Sequence, residues 1–241
     1  SIEDLARRLG ASPATIRRDL DLLETEAPIE RTHGGARIRP IRQAEQDFAA
    51  RESQDIPEKQ AIAAAVMRLI TPRSTIFLND GSTIMAIAKA ILAAGIEVFA
   101  ATPAVNVATK LSEGDGVTSC LLGGIVRQSS LATAGPFTDS MAAQINADLA
   151  IISPDGVHAE SGATFIHPHD AALARRMSER SEKTIVVATA SKLQKRERIN
   201  ALGVTAIHTL VTCASAERVA ELEHAGLKVV SASLTGKSEH G

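Results

Sequence analysis

Tryptophan and tyrosine are absent from this chain of 241 residues, and phenylalanine occurs only five times. Unpaired bases are usually held by stacking on aromatic rings, so this scarcity argues against a single-strand nucleic-acid binder. The core must be aliphatic, built from Ala, Val, Ile and Leu. Cysteine is scarce too: Cys120 and Cys213 are the two, and both sit in apolar, strand-like runs. They make no disulfide framework or metal clip, and they predict buried free thiols in a reducing compartment. No apolar run approaches the ~20 residues that span a bilayer, and secretory features are absent, so the expected location is cytoplasmic. A dominant charge is also missing, with 26 basic residues against 28 acidic ones and a net charge of −2. Any contact with DNA must therefore come from a local basic cluster.

Such a cluster stands at the N terminus. Ile2, Leu5, Ala6 and Leu9 recur at the spacing of one helix face, and Gly10 ends that helix in a tight turn. Ser12 is a good N-cap and Pro13 suits a first helical turn, so a second helix should begin there. On it Ile16, Leu20 and Leu23 share one side, Ala14, Arg18 and Asp21 point away, and Thr15 and Arg17 lie on the flanks. Two short helices joined by a Gly turn, the second exposing arginines near its start, make a helix-turn-helix. The small Pro13 and Ala14 leave room to approach base edges, and Arg17 and Arg18 can reach guanines or phosphates. An arginine pair alone more often marks a solvated helix face. The next segment changes that balance: IERTHGGARIRP reads as two strands around His33-Gly34-Gly35, a hairpin or wing. From Arg31 to Ala44 the chain carries four arginines (Arg31, Arg37, Arg39, Arg42) and no carboxylate, a composition that suits a phosphate backbone.

These residues resemble the winged helix-turn-helix of the DeoR family of bacterial repressors, through SxxTIRRDLxxLE (from Ser12) and RxHGGA (from Arg31). The resemblance implies a double-stranded DNA operator as partner, met by Ser12, Pro13, Ala14, Thr15, Arg17, Arg18, Arg31, His33 and Arg37. It also implies that the family's first helix would precede Ser1. Glu26-Ala27-Pro28 departs from the Gly-containing turn expected before the wing.

The expected organisation is a DNA-binding domain over 1–42, a polar linker over 43–57 with Phe48 finding a pocket, and an α/β domain over 58–241. Seven strand-like runs follow the linker: TIFLND, IEVFAA, VTSCLL, LAIIS, TIVVAT, HTLVT and LKVVSA. Apolar strands separated by helix-like stretches predict a mostly parallel sheet covered on both faces. Ligands in such sheets bind at the carboxyl ends of the strands. Five loops there are polar or Gly-rich. Asn79-Asp80-Gly81-Ser82-Thr83 opens a helix and suits an anion, although such a loop also caps helices that bind nothing. The others are Thr102 to Asn106, Leu122-Gly123-Gly124 with Arg127 close behind, Asp155-Gly156 with Gly162-Ala163-Thr164, and Ser191-Lys192. Lysine there can pair with a phosphate or bond a sugar hydroxyl.

This region resembles the DeoR sensor domain, related in fold to ribose-5-phosphate isomerase, through GSTxxxxA, LGGxxR, DxAxIxxDGV and the Ser-Lys pair. The resemblance implies repression of carbohydrate catabolic genes, relieved by a phosphorylated sugar. Gly81, Ser82 and Thr83 would hold the phosphate, with Thr102, Gly123, Asp155, Gly162 and Lys192 lining the sugar site. Asp80, Arg127, Thr164 and His169 complete the expected effector set. Asn79, Pro103, Thr189 and Ala174 depart from the family pattern, and the family's acid in the helix after Gly162 is retained here only as Asp170. These departures are expected in the pocket, making the effector differ from the commonest hexose phosphates.

His158, His167 and His169 lie near Asp155 and Asp170, a set that could hold zinc. Pro168 separates the last two histidines and no cysteine contributes, so no metal is expected, nor any cofactor. His167 or His169 is instead expected to bond the effector. The rival reading is a sugar-phosphate isomerase-like enzyme with Asp80, Asp155 or Asp170 as general base, but it leaves the DNA-binding module unexplained. One helix-turn-helix reads only a few base pairs, so a homodimer or tetramer is expected.

Overall fold

The computed structural model describes residues 2–26, 29–32, 35–38, 48–127 and 130–233, with side chains over 22–38 left out. Helix α1 (Ile2–Leu9) and helix α2 (Pro13–Glu26) are joined through Gly10, whose φ of +63° supplies the turn. Ser12 Oγ accepts the Thr15 amide at 3.1 Å, the N-cap bond expected of it. Ile2, Ala6, Ile16 and Leu20 form a small core between the two helices. Leu9 does not join it and stays 68% exposed. It is the last residue before the Gly10 turn, beyond the reach of that packing. Strands β1 (Ile29–Thr32) and β2 (Gly35–Ile38) pair antiparallel, with Thr32 opposite Gly35. His33, Gly34, Arg39 and Arg42 lie outside the described residues, and only the backbone of Arg31 and Arg37 is described.

Of the stretch expected to link the domains, residues 48–53 are helical, with Phe48 packed against the larger domain's core. Asp55 then takes a left-handed turn at φ 50° into helix α3 (Ile56–Met67). The seven anticipated strands are all present, in one parallel sheet. They are β3 (Thr75–Leu78), β4 (Val98–Thr102), β5 (Val117–Leu121), β8 (Ala147–Ile152), β11 (Ser181–Val187), β13 (Thr209–Thr212) and β14 (Val229–Ser231). Their order is β14-β13-β11-β8-β3-β4-β5.

Side chains alternate across this sheet. Ile76 and Leu78 face α3, helix α4 (Ser82–Ala94) and helix α5 (Val105–Leu111), in a core with Ile62, Val66, Ile84, Ile87 and Leu111. Phe77 faces the opposite layer, where Met177, Val219 and Leu222 pack; there stand helices α6 (Pro136–Ala143), α7 (Pro168–Glu179) and α8 (Ala216–His224). Burial on both faces is why these strands read as continuous apolar runs. Two smaller sheets flank the large one. Strands β6 (Ile125–Arg127) and β7 (Ala132–Ala134) form a hairpin; β9 (Gly156–His158), β10 (Gly162–Phe165) and β12 (Ile199–Leu202) form an antiparallel sheet. Cys120 and Cys213 are free but only half-buried, not buried as expected: Cys120 lies on β5, the edge strand of the sheet, and Cys213 just past the end of β13. Among the described residues no helix is long and apolar enough to cross a membrane.

Candidate functional site

The chain runs from β3 outward to β5, then returns to lay β8 on the other side of β3. Such a reversal leaves a crevice beyond the carboxyl ends of the two neighbouring strands. A cavity of about 330 Å³ opens there, walled by the loops after β3, β8 and β11. From the sequence-derived effector set it brings together Asp80, Gly81, Ser82, Thr83, Asp155 and Lys192.

Gly81, at φ 111°, turns the chain into α4, and no side chain caps that helix. The first amides of a helix have no intrahelical acceptor, so donors and the Ser82 and Thr83 hydroxyls meet at one wall. Across from them Lys192 Nζ donates to Ser153 Oγ at 3.1 Å and to the Pro154 carbonyl at 2.6 Å. Burial lowers the pKa of this ammonium, Asp155 and Asp80 oppose the shift, and the nearby cations Lys59 and Arg51 add to it.

Acids crowd the same space. Burial first, then Asp170 and Asp155, raise the Asp80 carboxyl to about 6, against the pull of Arg127. Burial likewise raises Asp170, although Asp170 is ion-paired with Arg127. Arg127 reaches the site through that pair. Asp155 accepts the Ile166 amide at 2.9 Å, which fixes the β8 loop against the end of β10. Buried acids and lysines facing one another through a small cavity can bind a polyol by its hydroxyls and an anionic group by its charge.

One wall was missed from sequence. Arg51, Gln54, Asp55 and Lys59 line the cavity, although they lie in and just after the stretch read as a linker. Ser130 was missed too; its buried Oγ has no hydrogen-bond partner among the described residues. The signal that could have found the wall is Lys59, a lysine on the apolar side of α3 that is only 6% exposed.

Six expected effector residues stand outside the cavity wall: Arg127, which touches it only through Asp170, and five others. The buried Thr102 hydroxyl bonds the Asn79 carbonyl at 3.0 Å and the Ala104 amide at 3.2 Å, shaping two loops at once. The Gly123 amide meets Met141 Sδ. Gly162 makes the β9–β10 turn at φ +68°, hard against the Leu202 carbonyl. Thr164 Oγ1 ties the Gly156 carbonyl to the Glu197 amide. His169 is exposed in the first turn of α7, while His167, one turn-forming proline earlier, lines the cavity. Among the described residues no group of three or more His, Cys, Asp or Glu is arranged to hold a metal ion.

A larger hollow of about 380 Å³ lies between α3 and α4, walled largely by Ile56, Ala63, Ala64, Ala86 and Ala90. Glu52, Lys59, Gln60, Ser82 and Lys89 share that wall, with Glu52 and Lys89 already paired to each other. In the N-terminal module Ser12, Pro13, Ala14, Thr15, Arg17 and Arg18 are all exposed, while Ile16 and Leu20 are buried. That is the division of faces a recognition helix requires.

Residues 54–213 match the model of the DeoR C terminal sensor domain, and residues 1–41 match the DeoR-like helix-turn-helix domain. The chain belongs to the DeoR family of DNA-binding transcriptional regulators. Its relatives include the HTH-type transcriptional regulator GlpR of Haloferax volcanii, 32% identical over 95% of this chain and 90% of that protein. The glycerol-3-phosphate regulon repressor of Escherichia coli is 28% identical over 88% and 83%. Among solved structures, ribose 5 phosphate isomerase A from Neisseria gonorrhoeae is similar over 58% of this chain and 55% of that one, at 18% identity and a TM-score of 0.43.

As a DeoR regulator, the chain binds DNA through its N-terminal module and a small molecule through its sensor domain. Its departures from the family pattern fall mostly in the scaffold, contrary to the sequence-based expectation. Asn79 is buried and bonds Ser153, the Pro103 carbonyl accepts from Thr133, and Ala174 is core. Thr189 alone of the four lines the cavity, its hydroxyl 3.0 Å from that of Ser191.

Proposed function

We propose that this chain represses carbohydrate catabolic genes and is released from its operator by a phosphorylated sugar bound in the cavity at the β3–β8 reversal. The carrying observation is the convergence of the uncapped α4 start, Ser82, Thr83 and Lys192 on one cavity, which Asp80 and Asp155 also line. The phosphate lies against Ser82, Thr83 and Lys192, and the polyol chain lies against Asp80 and Asp155. The DNA-binding head spans 1–42, the linker 43–57 and the sensor 58–241. The protein acts in the cytoplasm as a dimer or tetramer, since paired heads are needed on repeated half-sites. Effector favours an assembly whose heads no longer match the operator. The chain is not an enzyme in this reading. The raised pKa of Asp80 favours a second reading, sugar-phosphate isomerisation with Asp80 as base.

The test is a thermal-shift screen of sugars, sugar phosphates and sugar acids, followed by operator release with each hit. A ligand specific to the folded state stabilises it by about 2.7 kcal/mol at a hundredfold excess over its Kd. The expected hit is a phosphate ester whose shift vanishes in Lys192→Ala and Ser82→Ala and which frees the protein from DNA. A hit confined to unphosphorylated sugars or sugar acids defeats the phosphate assignment. Turnover of the hit between aldose and ketose favours the isomerase.

A further inference from the structure

The wall missed from sequence contains a cation held in an unusual way. Lys59 Nζ donates to the Gln54 carbonyl at 2.5 Å and to the Arg51 carbonyl. Those acceptors belong to the last turn of the helical segment 48–53 and to the bend after it, whose own final carbonyls lack helical partners. The bend is strained, because Asp55 sits at φ 50° without being glycine. One ammonium therefore clasps the elbow between the segment leading from the DNA-binding head and the first helix of the sensor domain. The segment is otherwise fixed by Phe48 on the core and by the Glu52–Lys89 ion pair.

The same ammonium belongs to the cavity. Lys59 lines it, and together with Arg51 it bears electrostatically on Lys192. Burial lowers the Lys59 pKa, with Asp55, Glu52 and Glu58 opposing the shift and Arg51 adding to it. Among the described residues two neutral carbonyls are its hydrogen-bond acceptors, a poorer environment for a cation than a dianion would be. A phosphate group at Ser82, Thr83 and Lys192 would bring such a dianion into the same cavity.

We propose that Lys59 is an effector-binding residue, for which the phosphate of the ligand and the linker elbow compete. Without ligand, Lys59 holds the elbow closed and the 48–53 segment docked. With a phosphate monoester in the cavity, the ammonium turns to the phosphate, the Arg51 and Gln54 carbonyls lose their donor, and the strained bend opens. Occupancy is thereby transmitted to the segment that carries the heads. This proposal rests on the phosphate-binding reading given above.

The experiment is hydrogen–deuterium exchange on the full chain, with and without saturating glycerol 3-phosphate, paired with calorimetric binding of that compound. In the wild type the ligand should raise exchange across 48–56 on the order of tenfold, the equivalent of one charged hydrogen bond. In Lys59→Met the segment should exchange fast from the start, without response to ligand, and the Kd should rise on the order of tenfold. Lys59→Arg, which keeps a cation, should restore part of both effects. The wild-type exchange comparison decides the matter even should Lys59→Met fail to fold. If ligand binds the wild type but leaves 48–56 unchanged, or binds Lys59→Met equally well, the shared-ammonium proposal is overturned and the cavity reading stands. If neither glycerol 3-phosphate nor any phosphate ester of the thermal-shift panel binds the wild type, the phosphate reading falls and takes this proposal with it.

Discussion

Asn79 and Ser153 clasp each other across the two central strands: Asn79 Nδ2 donates to the Ser153 carbonyl at 3.1 Å, and the Ser153 amide donates to Asn79 Oδ1 at 2.8 Å. Both residues are buried. An amide side chain is needed, since it alone offers a donor and an acceptor in one plane. The pair fixes the separation of the β3 and β8 loops, and with it the distance between Ser82 and Lys192. Asn79→Ala strands two buried backbone groups and should cost about 3 kcal/mol. The melting midpoint should fall by roughly 6–12 °C. A midpoint unchanged within error would mean that the clasp contributes nothing.

Asn79 also shows what could be read from the sequence and what could not. The seven strands were legible because burial on both faces leaves unbroken apolar runs, and the loops at their carboxyl ends followed from topology alone. The roles of individual loop residues were not legible. A Gly or Thr at a strand end looks the same whether it meets a ligand or a neighbouring backbone. Thr102, Gly162 and Thr164 turned out to meet backbone, because paired loops need cross-links as much as ligands do. The Arg51–Lys59 wall was hidden for another reason. Its polar composition resembles a linker, and only the fold brings it back over the cavity.

A pH dependence follows from Asp80, whose carboxyl is raised from 3.8 to about 6 chiefly by burial, with Asp170 and Asp155 adding to it and Arg127 opposing. The folded chain keeps this proton where the unfolded chain has lost it. The associated stability is complete below 3.8 and is lost as pH rises through about 6. Asp80→Asn removes the titration. Its stability relative to wild type should therefore climb between those two values and level off at neutral pH, by about 1–2 kcal/mol once solvent access is allowed for. Urea melts of both proteins at several pH values would show the climb; a flat difference curve refutes it.

Gly162 separates a structural from a ligand-binding role. Its φ is +68°, and a Cβ there would stand 2.0 Å from the Leu202 carbonyl oxygen. Gly162→Ala must either break the β10–β12 pairing or leave the turn, at a cost of at least about 3 kcal/mol. The expected result is a lower melting midpoint, with ligand affinity retained in the protein that remains folded. Lost affinity at an unchanged midpoint would return Gly162 to the effector site.

The recognition helix allows its two arginines to be told apart. Ile16 and Leu20 define the buried side. At about 100° per residue, Arg18 points roughly 180° from the middle of that side and Arg17 roughly 80°. Both are exposed, but Arg18 faces straight out of the module, as a groove-reading residue must, while Arg17 leans over the edge where a phosphate strand passes. Arg18→Ala should weaken the operator by about 1–3 kcal/mol and relax base choice at one position. Arg17→Ala should weaken operator and random DNA alike and lower the salt dependence by about one counterion. Neither side chain packs in the core, so both variants should melt with the wild type. Titrations of operator and scrambled duplexes at several salt concentrations distinguish the two roles, and a reversed pattern would mean that the helix lies in the groove rotated from the orientation its buried face implies.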